Sequence, residues 1–120
     1  MENQDALNGL RQRDDRAAGP FDGYRVGLLE TPVRISDLGV GGCFVNSTHE
    51  QREGARVVVK IDLPHEGLVA VNAETAGSLP GLGFAIRFVD VDAETGRRLS
   101  RAVDQSQRRH ARISKAPKPF

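Results

Sequence analysis

Two stretches of the chain carry side chains whose types and spacing could do chemistry. Arg11-Gln12-Arg13-Asp14-Asp15-Arg16 is a dense charge run near the start. Asp37-Leu38-Gly39-Val40-Gly41-Gly42 is a glycine-rich turn between two β-type runs. Guanidinium forks bind phosphate bidentately and can pair with the O6/N7 edge of guanine. A carboxylate such as Asp37 can accept from the N–H donors of guanine, and glycines such as Gly39 and Gly42 let a ligand ring approach the backbone closely. An arm carrying Arg11, Arg13 and Arg16, folded over that turn, would suit an anionic guanine nucleotide. The plainer alternative is a solvated charge run and an ordinary hairpin connection.

Other chemistry finds little support. His49, His65 and His110 sit in polar loops or in the tail, and no acid and nucleophile are spaced with them as a triad. Cys43, the single cysteine, lies beside Phe44 in a β-type run and reads as a buried structural thiol. One cysteine cannot form an internal disulfide, and no Cys/His cluster exists to hold zinc. The 39–42 turn lacks the lysine of a phosphate-binding loop, and no long helix follows it. The expectation is a binding module rather than an enzyme, with no catalytic residues, no metal and no cofactor.

The elements that must position these residues follow from periodicity. Residues 1–20 are polar, end in Ala17-Ala18-Gly19-Pro20 and read as a flexible arm. From Phe21 the pattern turns to period two. Tyr24, Val26 and Leu28 alternate with Arg25 and Gly27, and Glu30-Thr31-Pro32 breaks the run. Val33 and Ile35 form the next run, and Cys43-Phe44-Val45 a short one after the turn. Val57, Val59, Ile61 and Leu63 mark the clearest strand. Leu68 to Ala76 gives another, and Phe84, Ile86 and Phe88 share a face in the last. Asp92 reads as the N-cap of a helix, with Leu99, Ala102 and Val103 as its narrow apolar stripe and an end near Arg108.

Five or six short strands without interleaved helices argue for a small antiparallel barrel or sandwich. The division is an arm over 1–20, a barrel with a C-terminal helix over 21–108, and a disordered basic tail over 109–120. One domain of 120 residues has room for one modest core.

Charge is unevenly spread. Residues 97–120 hold eight Lys/Arg against Asp104 alone, while the rest holds nine basic and fifteen acidic residues. Such a tail could meet nucleic acid, an anionic surface or an acidic partner. The absence of Trp and the single Tyr weigh against base stacking, so nucleic acid is the weakest of these. No apolar stretch is long enough to span a bilayer, and the polar start is unlike a secretory signal, so a cytoplasmic setting is expected.

Three segments together resemble the PilZ domain family over roughly residues 11–104. They are Val33 to Val45, Arg56 to Pro64, and Gly81 to Asp90 followed by the helix. The resemblance implies a six-stranded antiparallel β-barrel with a C-terminal helix. It also implies cyclic di-GMP as ligand, bound by an RxxxR segment on the arm and a (D/N)xSxxG turn. Asp37 and Gly42 match the first and last positions of that turn, and Gly39 stands where the family has Ser. RxxxR is not intact, because Arg13 and Arg16 are three apart. Losing one hydrogen bond costs about 0.5–1.5 kcal/mol, or about 1.5–3 kcal/mol when a charged group is involved. On this reading Gly39→Ser should tighten binding. The expected function is a cyclic di-GMP-binding adaptor whose ligand orders the arm for an unidentified protein partner. The alternative is a degenerate PilZ-like domain that binds no nucleotide and acts through protein contacts.

Overall fold

The computed structural model describes residues 16–48 and 51–114, with side chains placed as far as Arg108. Six strands form one closed antiparallel barrel: β1 (Phe21–Val26), β2 (Glu30–Ser36), β3 (Gly42–Asn46), β4 (Arg56–Leu63), β5 (Gly67–Leu79) and β6 (Gly83–Phe88). Their order around the barrel is β1-β2-β3-β6-β5-β4, and β4 pairs back onto β1. The helix α1 (Ala93–Ser114) follows. Closure leaves none of these six strands as an open edge along the ring.

Period-two patterning explains the interior. Val57, Val59, Ile61 and Leu63 of β4 all point inward, as do Phe84, Ile86 and Phe88 of β6. Ile35, Val45, Val59, Ile61, Ala73, Phe84 and Leu99 are wholly buried. Thr75 is the buried polar residue of the barrel, and its hydroxyl donates to the Ala55 carbonyl at 3.3 Å.

Three local expectations give way. Phe21 and Gly23, rather than Tyr24, Val26 and Leu28, take the inward face of β1; Tyr24 and Leu28 are exposed. A β-carbon on Gly23 would lie 2.5 Å from the Lys60 carbonyl oxygen, so glycine is what lets β1 close on β4 there. Glu30-Thr31-Pro32 does not break the chain but begins β2. β3 pairs with β2 only at Arg34–Ser36, so Pro32 sits where no ladder forms on that side. The stretch 16–20, assigned above to the flexible arm, is built onto the barrel. Ala17 is buried and bridges Leu38 through two backbone hydrogen bonds of 2.7 and 2.8 Å.

The helix starts where its cap requires. Asp92 Oδ1 accepts from the Thr95 amide at 2.7 Å, and that bond holds its carboxyl below the usual range. Leu99, Ala102 and Val103 bury the expected stripe. The backbone stays helical to Ser114 instead of ending near Arg108, so 109–114 is not a disordered tail. No proline interrupts before Pro117, and Arg108 pairs with Asp104 one turn back at 3.0 Å. The remainder of the expected tail, 115–120, lies outside the described residues.

Candidate ligand-binding cleft

The turn between β2 and β3 is shaped by its own backbone. Asp37 adopts φ of 54°, a left-handed conformation that Asp tolerates better than most residues. Its amide donates to the Ala18 carbonyl at 3.1 Å, and the Gly39 amide donates to the Gly42 carbonyl at 2.9 Å. The Phe88 amide donates to the Gly41 carbonyl at 2.8 Å, which ties the turn to the end of β6. Buried Ala17 and Leu38 anchor the arm and the turn to the same core.

This anchoring delivers Arg16. Its Nη1 donates to the carbonyl of Asp37 at 2.7 Å and to that of Gly42 at 3.3 Å. The Asp37 carboxylate stands 4.0 Å away, two-thirds exposed, at the outer limit of an ion pair. The guanidinium lies across Gly39: a β-carbon there would come within 3.1 Å of Arg16 Cδ and Nε.

Arg16, Asp37 and Gly42 line one cleft of about 540 Å³, with Gly41, Phe44 and Arg87 among its other walls. Gly39 sits beneath Arg16 rather than in the wall. Gly42 is buried, and a β-carbon on it would overlap the Ile86 carbonyl oxygen, so its glycine is demanded by the β3–β6 approach. Arg11 and Arg13 lie outside the described residues.

Arg87 is the cleft residue that sequence reasoning missed. β3 and β6 are neighbours, and their register sets Arg87 directly across from Gly42. Its alternation with Ile86 and Phe88 already marked it as outward-facing, but not which strand lay beside it. Arg87 Nη2 donates to Glu74 Oε1 at 2.7 Å, and Glu74 also takes Arg56 Nε at 3.1 Å. The cleft thus carries one cation tied to neutral carbonyls and one shared with a carboxylate.

Cys43 also lines the cleft, but burial pushes its thiol far up, so it stays protonated. Among the described residues, no group of three His, Cys, Asp or Glu is placed to hold a metal ion.

The family model described as PilZ domain matches residues 18–105. The chain belongs to the PilZ domain family. A search of the curated proteins finds no match. Two solved structures share the fold of this PilZ domain. The PilZ domain with c-di-GMP of YcgR from Escherichia coli aligns with a TM-score of 0.64 at 16% identity, over 85% of this chain and 95% of that one. The crystal structure of YcgR in complex with c-di-GMP from Escherichia coli aligns with a TM-score of 0.64 at 24% identity. That match covers 82% of this chain, which spans only 46% of the longer protein.

Proposed function

We propose that this PilZ domain binds cyclic di-GMP in the cleft between the 37–42 turn and β6, as a non-catalytic adaptor in the cytoplasm. The observation that carries this reading is Arg16. Its charge is held over the turn by neutral carbonyls, while the Asp37 carboxylate is 4.0 Å away. A fixed guanidinium without a tight carboxylate partner is suited to an anion such as a phosphodiester. Asp37 supplies the acceptor for guanine N–H donors, and Arg87 a second cation across the cleft. Arg11 and Arg13, upstream on the arm, would close over the bound nucleotide. The two PilZ-fold structures that carry c-di-GMP add to the case by family.

Residues 16–18 are already pinned to the turn, so the ordering that a ligand brings concerns the arm upstream of Arg16. Ordering a segment on binding changes the surface a partner meets, a population shift driven by the ligand. This adaptor reading includes a protein partner and no nucleic acid. No described helix is long and apolar enough to cross a membrane.

Calorimetric titration with cyclic di-GMP at moderate salt, with GMP as control, tests the reading. Saturable binding is expected for the dinucleotide, weakened roughly tenfold by Asp37→Ala and severalfold by Arg87→Ala, in line with loss of charge-assisted contacts. No heat at high micromolar ligand would leave the alternative, a PilZ domain that works through protein contacts alone.

A further inference from the structure

The three glycines of the turn differ in what holds them as glycine. Gly42 is required by strand packing, because a β-carbon would meet the Ile86 carbonyl. Gly41 has open space around it. Gly39 has neither reason. Its φ lies outside the left-handed region, and the atoms nearest to a β-carbon there are side-chain atoms rather than backbone. The three atoms nearest to a β-carbon at Gly39 all belong to Arg16: Cδ and Nε at 3.1 Å and Cζ at 3.3 Å.

We infer that Gly39 is a positioning residue for Arg16. The missing side chain opens the space in which the guanidinium lies across the turn. The serine absent from the family pattern is then what leaves room for Arg16. The geometry says how. Nη1 takes both carbonyls, Asp37 at 2.7 Å and Gly42 at 3.3 Å. Among the described residues, that leaves the Nε and Nη2 edge as the fork available to a phosphate, the bidentate side of a guanidinium. A β-carbon at 39 would push on Cδ, Nε and Cζ together. The side chain can give way by a few tenths of an ångström, which strains its bonds to the carbonyls that orient it. Preorganisation would be weakened, and with it affinity.

The inference rests on the cyclic di-GMP reading for its ligand and on Arg16 alone for its geometry, and the two separate by experiment. The proteins are the wild type, Gly39→Ala, Gly39→Ser, Arg16→Ala and the double variant Arg16→Ala/Gly39→Ser. The first measurement needs no ligand: the Arg16 Nε–Hε resonance, assigned by its loss in Arg16→Ala. It is expected to be shifted from the free-arginine position in the wild type and to move toward it in Gly39→Ala. The second is cyclic di-GMP affinity. Gly39→Ala and Gly39→Ser should each weaken binding severalfold, by straining rather than removing one charge-assisted contact. In the Arg16→Ala background, Gly39→Ser should change affinity less than twofold, since the contact it disturbs is already gone. Tighter binding by Gly39→Ser, or an Arg16 resonance unmoved in Gly39→Ala, overturns the inference. A wild type that binds no cyclic di-GMP sinks the ligand assignment alone, and the resonance still decides whether Gly39 places Arg16.

Discussion

In two places an arginine from outside the barrel grips a connection between strands. At the 37–42 turn, Arg16 holds two backbone carbonyls. At the β4–β5 turn, Arg101 from α1 makes a two-pronged bond to Glu66, Nε to Oε2 at 3.0 Å and Nη2 to Oε1 at 2.8 Å, and Arg98 donates to the Glu66 carbonyl. The Glu66 side chain is only 12% exposed. In the second grip the cation's charge is answered by a carboxylate at hydrogen-bond distance. In the first it meets neutral oxygens, and the carboxylate of Asp37 stands off at 4.0 Å. The fold therefore spends Arg101 on docking the helix and leaves Arg16 with charge to offer an anion.

Both grips depend on one core, and the largest effect should come from opening it. Phe84 is wholly buried on β6, between the strand that carries the turn and the strand that carries Glu74. Phe84→Ala should cost about 3–5 kcal/mol by removing a large buried ring and leaving a cavity. Urea denaturation would read this as a lower midpoint with an unchanged slope. A cost under 1 kcal/mol would mean that the barrel is not the shared frame, and the two grips could not be compared on it.

The comparison itself is tested by exchanging which arginine is removed. Arg16→Ala should weaken cyclic di-GMP binding by more than about tenfold, about 1.5–3 kcal/mol for a charge-assisted contact, while leaving the denaturation midpoint nearly unchanged. Arg101→Ala should do the reverse: affinity within about twofold of wild type and a lower midpoint, because Glu66 loses the partner that answers its charge. Loss of affinity in Arg101→Ala with none in Arg16→Ala would invert the assignment of the two grips.

How far these features were legible in the sequence depended on whether their causes were local. Val57, Val59 and Ile61 declared β4 because alternation is a property of one strand. Asp92 declared the helix start because a cap acts over three residues. The inward face of β1 was not legible because Gly23 is set by the Lys60 carbonyl on another strand. Arg16 and Asp37 were picked out by residue type as candidates for one ligand, and the structure brings them into one cleft. Arg87 escaped because β3 and β6 are distant in sequence, and only the register makes it face Gly42. Gly39 looked like a lost hydroxyl, since nothing in the chain's order says that Arg16 lies on it. Glu66 and Arg101 are 35 residues apart, and a turn acid and a helix base announce no pairing at that distance.

The smallest effect separates the grips by pH. The hydrogen bond from Arg101 holds the Glu66 carboxyl below its usual range, and the Thr95 amide does the same for Asp92. A carboxyl whose folded pKa is depressed adds stability above its unfolded value, about 4.3 for Glu and about 3.9 for Asp. That stability fades as pH falls through the lower folded value. Between pH 7 and 5 the urea midpoint should therefore be flat with respect to these two groups, and it should drop below about pH 4. Glu66→Gln should start from a lower midpoint and show a shallower acid slope, because its side chain no longer titrates. Asp92→Asn should flatten the slope with less initial loss, since Asn still caps a helix. The carbonyls that hold Arg16 do not titrate, so its Nε–Hε resonance should keep its position to lower pH than that of Arg101. A midpoint that begins to fall above about pH 5.5, or an Arg101 resonance that outlasts that of Arg16 in acid, would place the acid-sensitive contact away from the helix clamp.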